Sequence, residues 1–139
     1  MADIVTARKL HDGLRYCEYE FTNESDSTGE SAVKKIDLTD LIGDNGYLTG
    51  GRRPTSLSLM EADWEVFGFN YVTAYWDRSP SNIAIVTMSG DGGVDHSKTG
   101  GKHDPNRGMD GTGDILFTID SATDGDSYRI RMKFKKKYV

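Results

Sequence analysis

The sequence is poor in cysteine, in proline and in long apolar runs. Cys17 is the only cysteine among 139 residues, so no disulfide can form within the chain and a disulfide-stapled secreted scaffold is excluded. Proline occurs 3 times against 16 glycines, a balance suited to many tight turns between short strands, because glycine reaches positive φ without steric cost. No run has the length of a membrane-spanning helix. The opening residues, Met1-Ala2-Asp3-Ile4-Val5-Thr6, have neither the basic start nor the apolar stretch of a signal peptide. We therefore expect a protein made and kept in a cytoplasm, or in something assembled there. Hydrophobic residues reach only 36% and mean hydropathy is −0.58, so the core must be thin or be completed by a partner. A basic balance is also missing: the formal net charge is −5, which argues against a nucleic-acid binder.

What is there begins with an uneven distribution of that charge. The last stretch, residues 127–139, carries Arg129, Arg131, Lys133, Lys135, Lys136 and Lys137 and no acid, which leaves −11 on residues 1–126 of a chain totalling −5. Two readings fit: a docking strip for an acidic partner, or the solvent face of a final strand whose lysines protect a sheet edge.

Period-two alternation dominates the chain and predicts an all-β domain. Leu14 to Asn23 reads as a strand with Cys17, Tyr19 and Phe21 on one face, which makes Cys17 a small buried hydrophobe. Ala32 to Leu38 is a second strand, and Thr39-Asp40-Leu41-Ile42 fits one helical turn. Thr55 to Phe67 is long. Its apolar phase slips from Leu57 and Leu59 to Met60, Ala62, Trp64 and Val66, which predicts a β-bulge near Leu59–Met60. Phe69 to Asp77 has apolar residues on both faces and reads as central; Asn82 to Met88 is similar. Ser89 to Gly113 reads as a long Gly/Asp-rich loop. Asp114 to Asp120 and the strand through Tyr128, Ile130, Met132 and Phe134 read as a hairpin. No 3.6-residue period is sustained and no repeat is present. The expectation is one domain over 1–139, with a short N-terminal arm (1–13), the long loop (89–113) and about eight strands. These would form a two-sheet antiparallel β-sandwich of jelly-roll type. A β-barrel is the alternative.

Chemistry finds little support in these residues, and we expect no enzyme and no cofactor. There is no Gly-x-Ser-x-Gly elbow, Cys17 has no base nearby in sequence, and no Gly-Lys-Ser/Thr loop follows a strand. Asp91, Asp95, His96, His103, Asp104, Asp110 and Asp114 crowd the long loop, a composition that suits calcium, but without EF-hand spacing. His96 and His103 lie too far apart in sequence for a helical zinc pair. We assign no metal. The acids Glu18 and Glu20, and Glu61, Asp63 and Glu65, fit solvent-facing positions on half-buried strands. Trp64, Trp76, Tyr71 and Tyr75 could stack on sugars, but alternating aromatics in central strands fit core better.

The stretch Phe21-Thr22-Asn23-Glu24-Ser25-Asp26-Ser27-Thr28-Gly29-Glu30-Ser31-Ala32-Val33-Lys34-Lys35-Ile36-Asp37 resembles a signature of small structural proteins of tailed phages, common among marine and environmental phages. Ala2-Asp3, Asp12-Gly13, Trp76-Asp77, Gly113-Asp114-Ile115, Gly125-Asp126-Ser127-Tyr128 and Lys135-Lys136-Lys137 match further, weaker blocks. The chain departs from the pattern in its longer loop from Ser89 to Gly111. The resemblance implies a virion protein. Its size and fold point by analogy to a capsid decoration (cement) protein, made in the host cytoplasm and bound as a trimer to the major capsid protein. Neither nucleic acid nor membrane is an expected partner. Tail, neck or fibre component, and carbohydrate-binding module on the virion, are the alternatives. The contact residues expected are Ile4 and Arg8 in the arm, Asp91, Asp95, His96, His103 and Arg107 in the loop, and Arg129, Arg131, Lys133 and Lys135 in the last strand.

Overall fold

The computed structural model describes residues 4–25, 30, 32–38, 41, 54, 56–78, 82–103, 111–120 and 125–137. Ten strands follow one another: β1 (Ile4–Asp12), β2 (Tyr16–Glu24), β3 (Val33–Ile36), β4 (Ser56–Phe67), β5 (Tyr71–Arg78), β6 (Ile83–Met88), β7 (Asp91–Asp95), β8 (Lys102–His103), β9 (Gly111–Asp120) and β10 (Ser127–Lys137). A 3-10 turn, Ser97–Thr99, separates β7 from β8. All pairing is antiparallel. One sheet has the order β1-β2-β10-β4-β7, with β8 also on β4, and the other the order β3-β9-β5-β6. The fold is an all-β sandwich, not a closed barrel.

The two orders decide the topology. Set aside β1 and β8, and the sheets read β2-β10-β4-β7 and β3-β9-β5-β6. Each position holds a pair of chain neighbours: β2 with β3, β10 with β9, β4 with β5, β7 with β6. That is the strand order of a jelly roll, a long hairpin wrapped over itself. It also corrects one expectation: β9 and β10 do not form a hairpin. The chain crosses to the other sheet between them, and β10 instead lies between β2 and β4. Alternation gave each strand its faces, but pairing is set by which apolar face closes on which, and that is non-local.

Other expectations hold or shift by segment. Lys133 pairs with Glu61 and Phe134 with Leu59, so Met60 is the extra residue of a bulge, at the place where the sequence phase slips. β5 is interior to its sheet, between β9 and β6. The N-terminal arm is instead a strand, Ile4–Asp12, paired along its length with β2. The long loop contains β7, the 3-10 turn and β8. Apart from buried Leu41, the helical turn expected at 39–42 lies outside the described residues.

Glycine hides β7 in the sequence. A side chain at Gly92 would meet the Trp64 ring at 3.0 Å, and one at Gly93 the Ala62 carbonyl oxygen at 2.9 Å. The strand therefore crosses β4 with glycines where an alternating residue would signal it.

One contiguous core fills the space between the sheets. Cys17, Tyr19 and Phe21 of β2, Tyr128, Ile130, Met132 and Phe134 of β10, and Ala62, Trp64 and Val66 of β4 face Val72, Ala74 and Trp76 of β5 and Ile115 and Phe117 of β9. Phe117 meets Phe21 edge-on at 5.0 Å between ring centroids, and Tyr128 at 6.1 Å, the geometry aromatic quadrupoles favour. Both tryptophans are buried, so neither indole offers a face for stacking a sugar.

Candidate interaction surface

The outer face of the larger sheet is built from charge in stripes. Residues alternate across the sheet plane, so the partners of the core-facing residues point outward: Glu18 and Glu20 on β2, Arg129, Arg131, Lys133 and Lys135 on β10, and Glu61, Asp63 and Glu65 on β4. The register sets Arg131 between Glu20 and Asp63, and Lys133 between Glu18 and Glu61. Arg131 donates from Nε and Nη2 to Asp63 Oδ2 at 2.9 and 2.6 Å, and its Nη1 lies 3.4 Å from Glu18. The Asp63 hydrogen bonds hold the guanidinium still more firmly protonated than usual. Arg129 reaches Glu20 at 3.4 Å, Glu65 at 3.6 Å and Asp63 at 3.7 Å. The Lys133 ammonium sits 5.0 Å from the centroid of the Tyr16 ring, a cation–π contact. Lys135 lies in register between Tyr16 and Ser58.

The solvent-face reading of the cationic strand holds for Arg129 and Arg131, and its edge position is corrected. β10 is not an edge, so its basic residues protect none. Nor are Arg129 and Arg131 an uncommitted strip, because acids of β2 and β4 flank them. Those acids were visible in the sequence as outward positions. Their match to the cations needed the strand order.

The other expected contact residues scatter around the same sheet. Ile4 and Arg8 lie on β1, at one edge, where Arg8 reaches Glu20 at 3.4 Å with its side chain 70% exposed. Asp91 and Asp95 lie on β7, at the other edge, opposite Glu65 and Glu61. The hydroxyl and then the amide of Ser97 bond to the Asp95 carboxylate at 2.6 and 2.8 Å and hold its pKa below the usual carboxylate range. His96 anchors the 3-10 turn through its backbone, donating to the Met60 carbonyl at 2.7 Å. His103 meets the hydroxyl of buried Ser58 at 2.5 Å through Nδ1. Ser58 is fully covered, so this pair cannot present a nucleophile. Arg107, with Asp104 and Asp110, lies outside the described residues. Among the described residues, no group of three or more His, Cys, Asp or Glu could hold a metal ion, and no helix is long and apolar enough to cross a membrane.

Inside the sandwich, a second polar arrangement went unseen in the sequence. Glu30 is buried and accepts hydrogen bonds at Oε1 from Asn23 at 2.9 Å and from the Tyr128 hydroxyl at 2.6 Å. Its Oε2 meets the Lys35 ammonium as an ion pair, close but not aligned as a hydrogen bond. Lys35 also sits 5.8 Å from the centroid of the Phe117 ring. Nearby, Asp114 accepts from the Leu38 amide at 2.9 Å and pairs with Lys34 at 3.1 Å. Ser25 and Asp126 join the β2 and β10 ends, Ser25 N donating to the Asp126 carbonyl at 2.8 Å. Cys17 is buried, and burial pushes its thiol pKa up to about 12, which leaves it inert as a nucleophile.

No protein-family model matches the chain, and no curated protein matches it. The resemblance to small tailed-phage structural proteins therefore stands on the residues quoted for it. Those residues have a place in the fold. Asn23, Glu30 and Lys35 of the long first stretch meet Tyr128 of Gly125-Asp126-Ser127-Tyr128, while Asp114 of Gly113-Asp114-Ile115 meets Lys34 and Leu38 of the first stretch. They serve the framework rather than the surface.

Proposed function

We propose that this chain is a non-catalytic assembly domain of a phage virion, and that it decorates the outer shell by binding the major capsid protein. The observation that carries the reading is the convergence just described. Two blocks far apart in sequence and quoted for their phage likeness close one polar knot on Glu30 inside a jelly roll, and Asp114 of another block ties β9 to Lys34 and Leu38 of the first. That topology recurs in capsid proteins and in lectins, and fold alone does not choose between such roles. The buried tryptophans weigh against the carbohydrate-binding alternative. In a shell, many copies with modest contacts each would add up through multivalency.

The test combines binding and copy number. Purified protein should bind expanded shells that lack it, and quantitative mass spectrometry of particles should find copies on the scale of the shell lattice. Copies limited to a dozen or so would move the protein to the tail or neck. Absence from particles would end the virion reading.

A further inference from the structure

The larger sheet ends in two open strands of opposite chemistry. β1 pairs with β2 and β7 with β4, and among the described residues neither has a second strand beside it, so each has an edge to which another strand can add. β1 carries Arg8, whose side chain stays 70% exposed beside Glu20, and Lys9, which pairs with Asp12 of the same strand, and residues 5–10 are exposed. β7 carries Asp91 and Asp95 and no base. These acids face Glu65 and Glu61 directly across the β4–β7 ladder, and like charges in that position are destabilising. A cationic strand laid against β7 would relieve that repulsion. The edges of the smaller sheet offer no such match. β6 has no charged residue, and on β3 Lys34 is taken by Asp114 and Lys35 is buried on Glu30.

We propose that copies of this chain join head to tail, β1 of one copy adding to β7 of the next. Four antiparallel steps separate β1 from β7, so the two strands run the same way. Pairing between copies is therefore parallel, and the charged outer face continues across the joint. Arg8 lies on that face beside Glu20, as Asp91 and Asp95 do beside Glu65 and Glu61, so the joint brings Arg8 onto the β7 acids. The contact is heterologous, with different surfaces meeting, and it propagates until a ring closes. β7 has five residues, and parallel ladders are slightly the weaker kind. One joint therefore buries less than the roughly 1,200 Å² of a stable interface, and assembly is weak, salt-sensitive and dependent on closure. This joint is independent of the virion reading, since it can form in pure protein whatever the particle counts show.

The experiment is sedimentation of the full chain up to about 1 mM, a range in which weak contacts are populated, with the variants Arg8→Glu and Asp91→Lys. Unchanged circular dichroism and melting temperature establish that each variant folds. The wild type should assemble with rising concentration, less so in high salt. Each variant alone should lose association at least tenfold. Mixing the two should restore association, because Arg8→Glu keeps an intact β7, Asp91→Lys keeps an intact β1, and the two reversed charges are again opposite. A wild type that stays monomeric throughout overturns the proposal. So does an Asp91→Lys variant that assembles like the wild type, since that would mean β1 pairs with β1 about a two-fold axis.

Discussion

The two faces of β10 hold charge in opposite ways. On the inner face, Lys136 is fully buried, with its ammonium on Asp12 and on the Gly13 carbonyl at 2.7 Å. At the other end of that face, the Tyr128 hydroxyl reaches Glu30, whose ion pair with Lys35 leaves both side chains only 3% exposed. On the outer face, Arg129 and Arg131 also meet acids, but their side chains are 41% and 47% exposed. Water and salt screen the outer pairs, and their net worth is small. The inner pairs have given up their hydration, so removing one partner strands the other. Burial, not the number of contacts, decides which charges the fold depends on.

The largest effect should come from unpairing the inner charge. Lys35→Met leaves Glu30 without its cation in a dry site and should cost about 3–5 kcal/mol in chemical denaturation. Adding Glu30→Gln removes the stranded charge while keeping an oxygen for Asn23 and Tyr128, so the double variant should regain most of that loss. A single-variant loss under about 1 kcal/mol would place the knot in the same class as the outer pairs.

Cys17 sharpens the comparison through pH. Its pKa is raised from 9.0 to about 12 in the fold, chiefly by burial. The folded state thus keeps the proton that the unfolded chain releases. The associated stability is complete below pH 9 and is lost as pH rises from 9 towards 12, by about 1.4 kcal/mol per pH unit. Other groups titrate in that range, so the readout is the difference between the wild type and Cys17→Ala. The wild type should fall more steeply. A thiol reagent at pH 8 should label Cys17 only after unfolding; rapid labelling of the native protein would contradict its burial.

Much of this fold was legible in the sequence because strand parity is local. The alternation Tyr128–Phe134 fixed the faces of β10, and the phase slip at Leu59–Met60 located the bulge that Met60 fills. Three things were not legible, each because it depends on distant partners or on missing side chains. The β9–β10 hairpin was inferred from adjacency, whereas the jelly-roll wrap sends the two strands to different sheets. β7 was concealed because Gly92 and Gly93 make room for Trp64 and the Ala62 carbonyl where a strand usually shows alternation. β1 looked like an arm because its apolar residues, Val5 and Leu10, stay 41% and 39% exposed at the sheet edge. Of the candidate surface, the cations of β10 were plain, but the strand order that sets Glu20 and Asp63 beside Arg131 was not.

The smallest effect should come from the outer face, and it tests whether the stripes stabilise the fold at all. Asp63 is the acid shared by Arg129 and Arg131, so Asp63→Asn disturbs two pairs at once. Its carboxylate is itself 39% exposed, and the arginines retain Glu18, Glu20 and Glu65 nearby. The expected cost is about 0.5–1 kcal/mol at low salt. It should shrink in about 1 M salt, where the screening length falls to about 3 Å. The cost of Lys35→Met should barely respond to the same salt, because the Glu30 site excludes it. If both variants lost stability equally, and with equal salt dependence, burial would not be what separates the two faces. The charged ladder would then count as part of the framework, and β10 would be held as firmly from outside as from within.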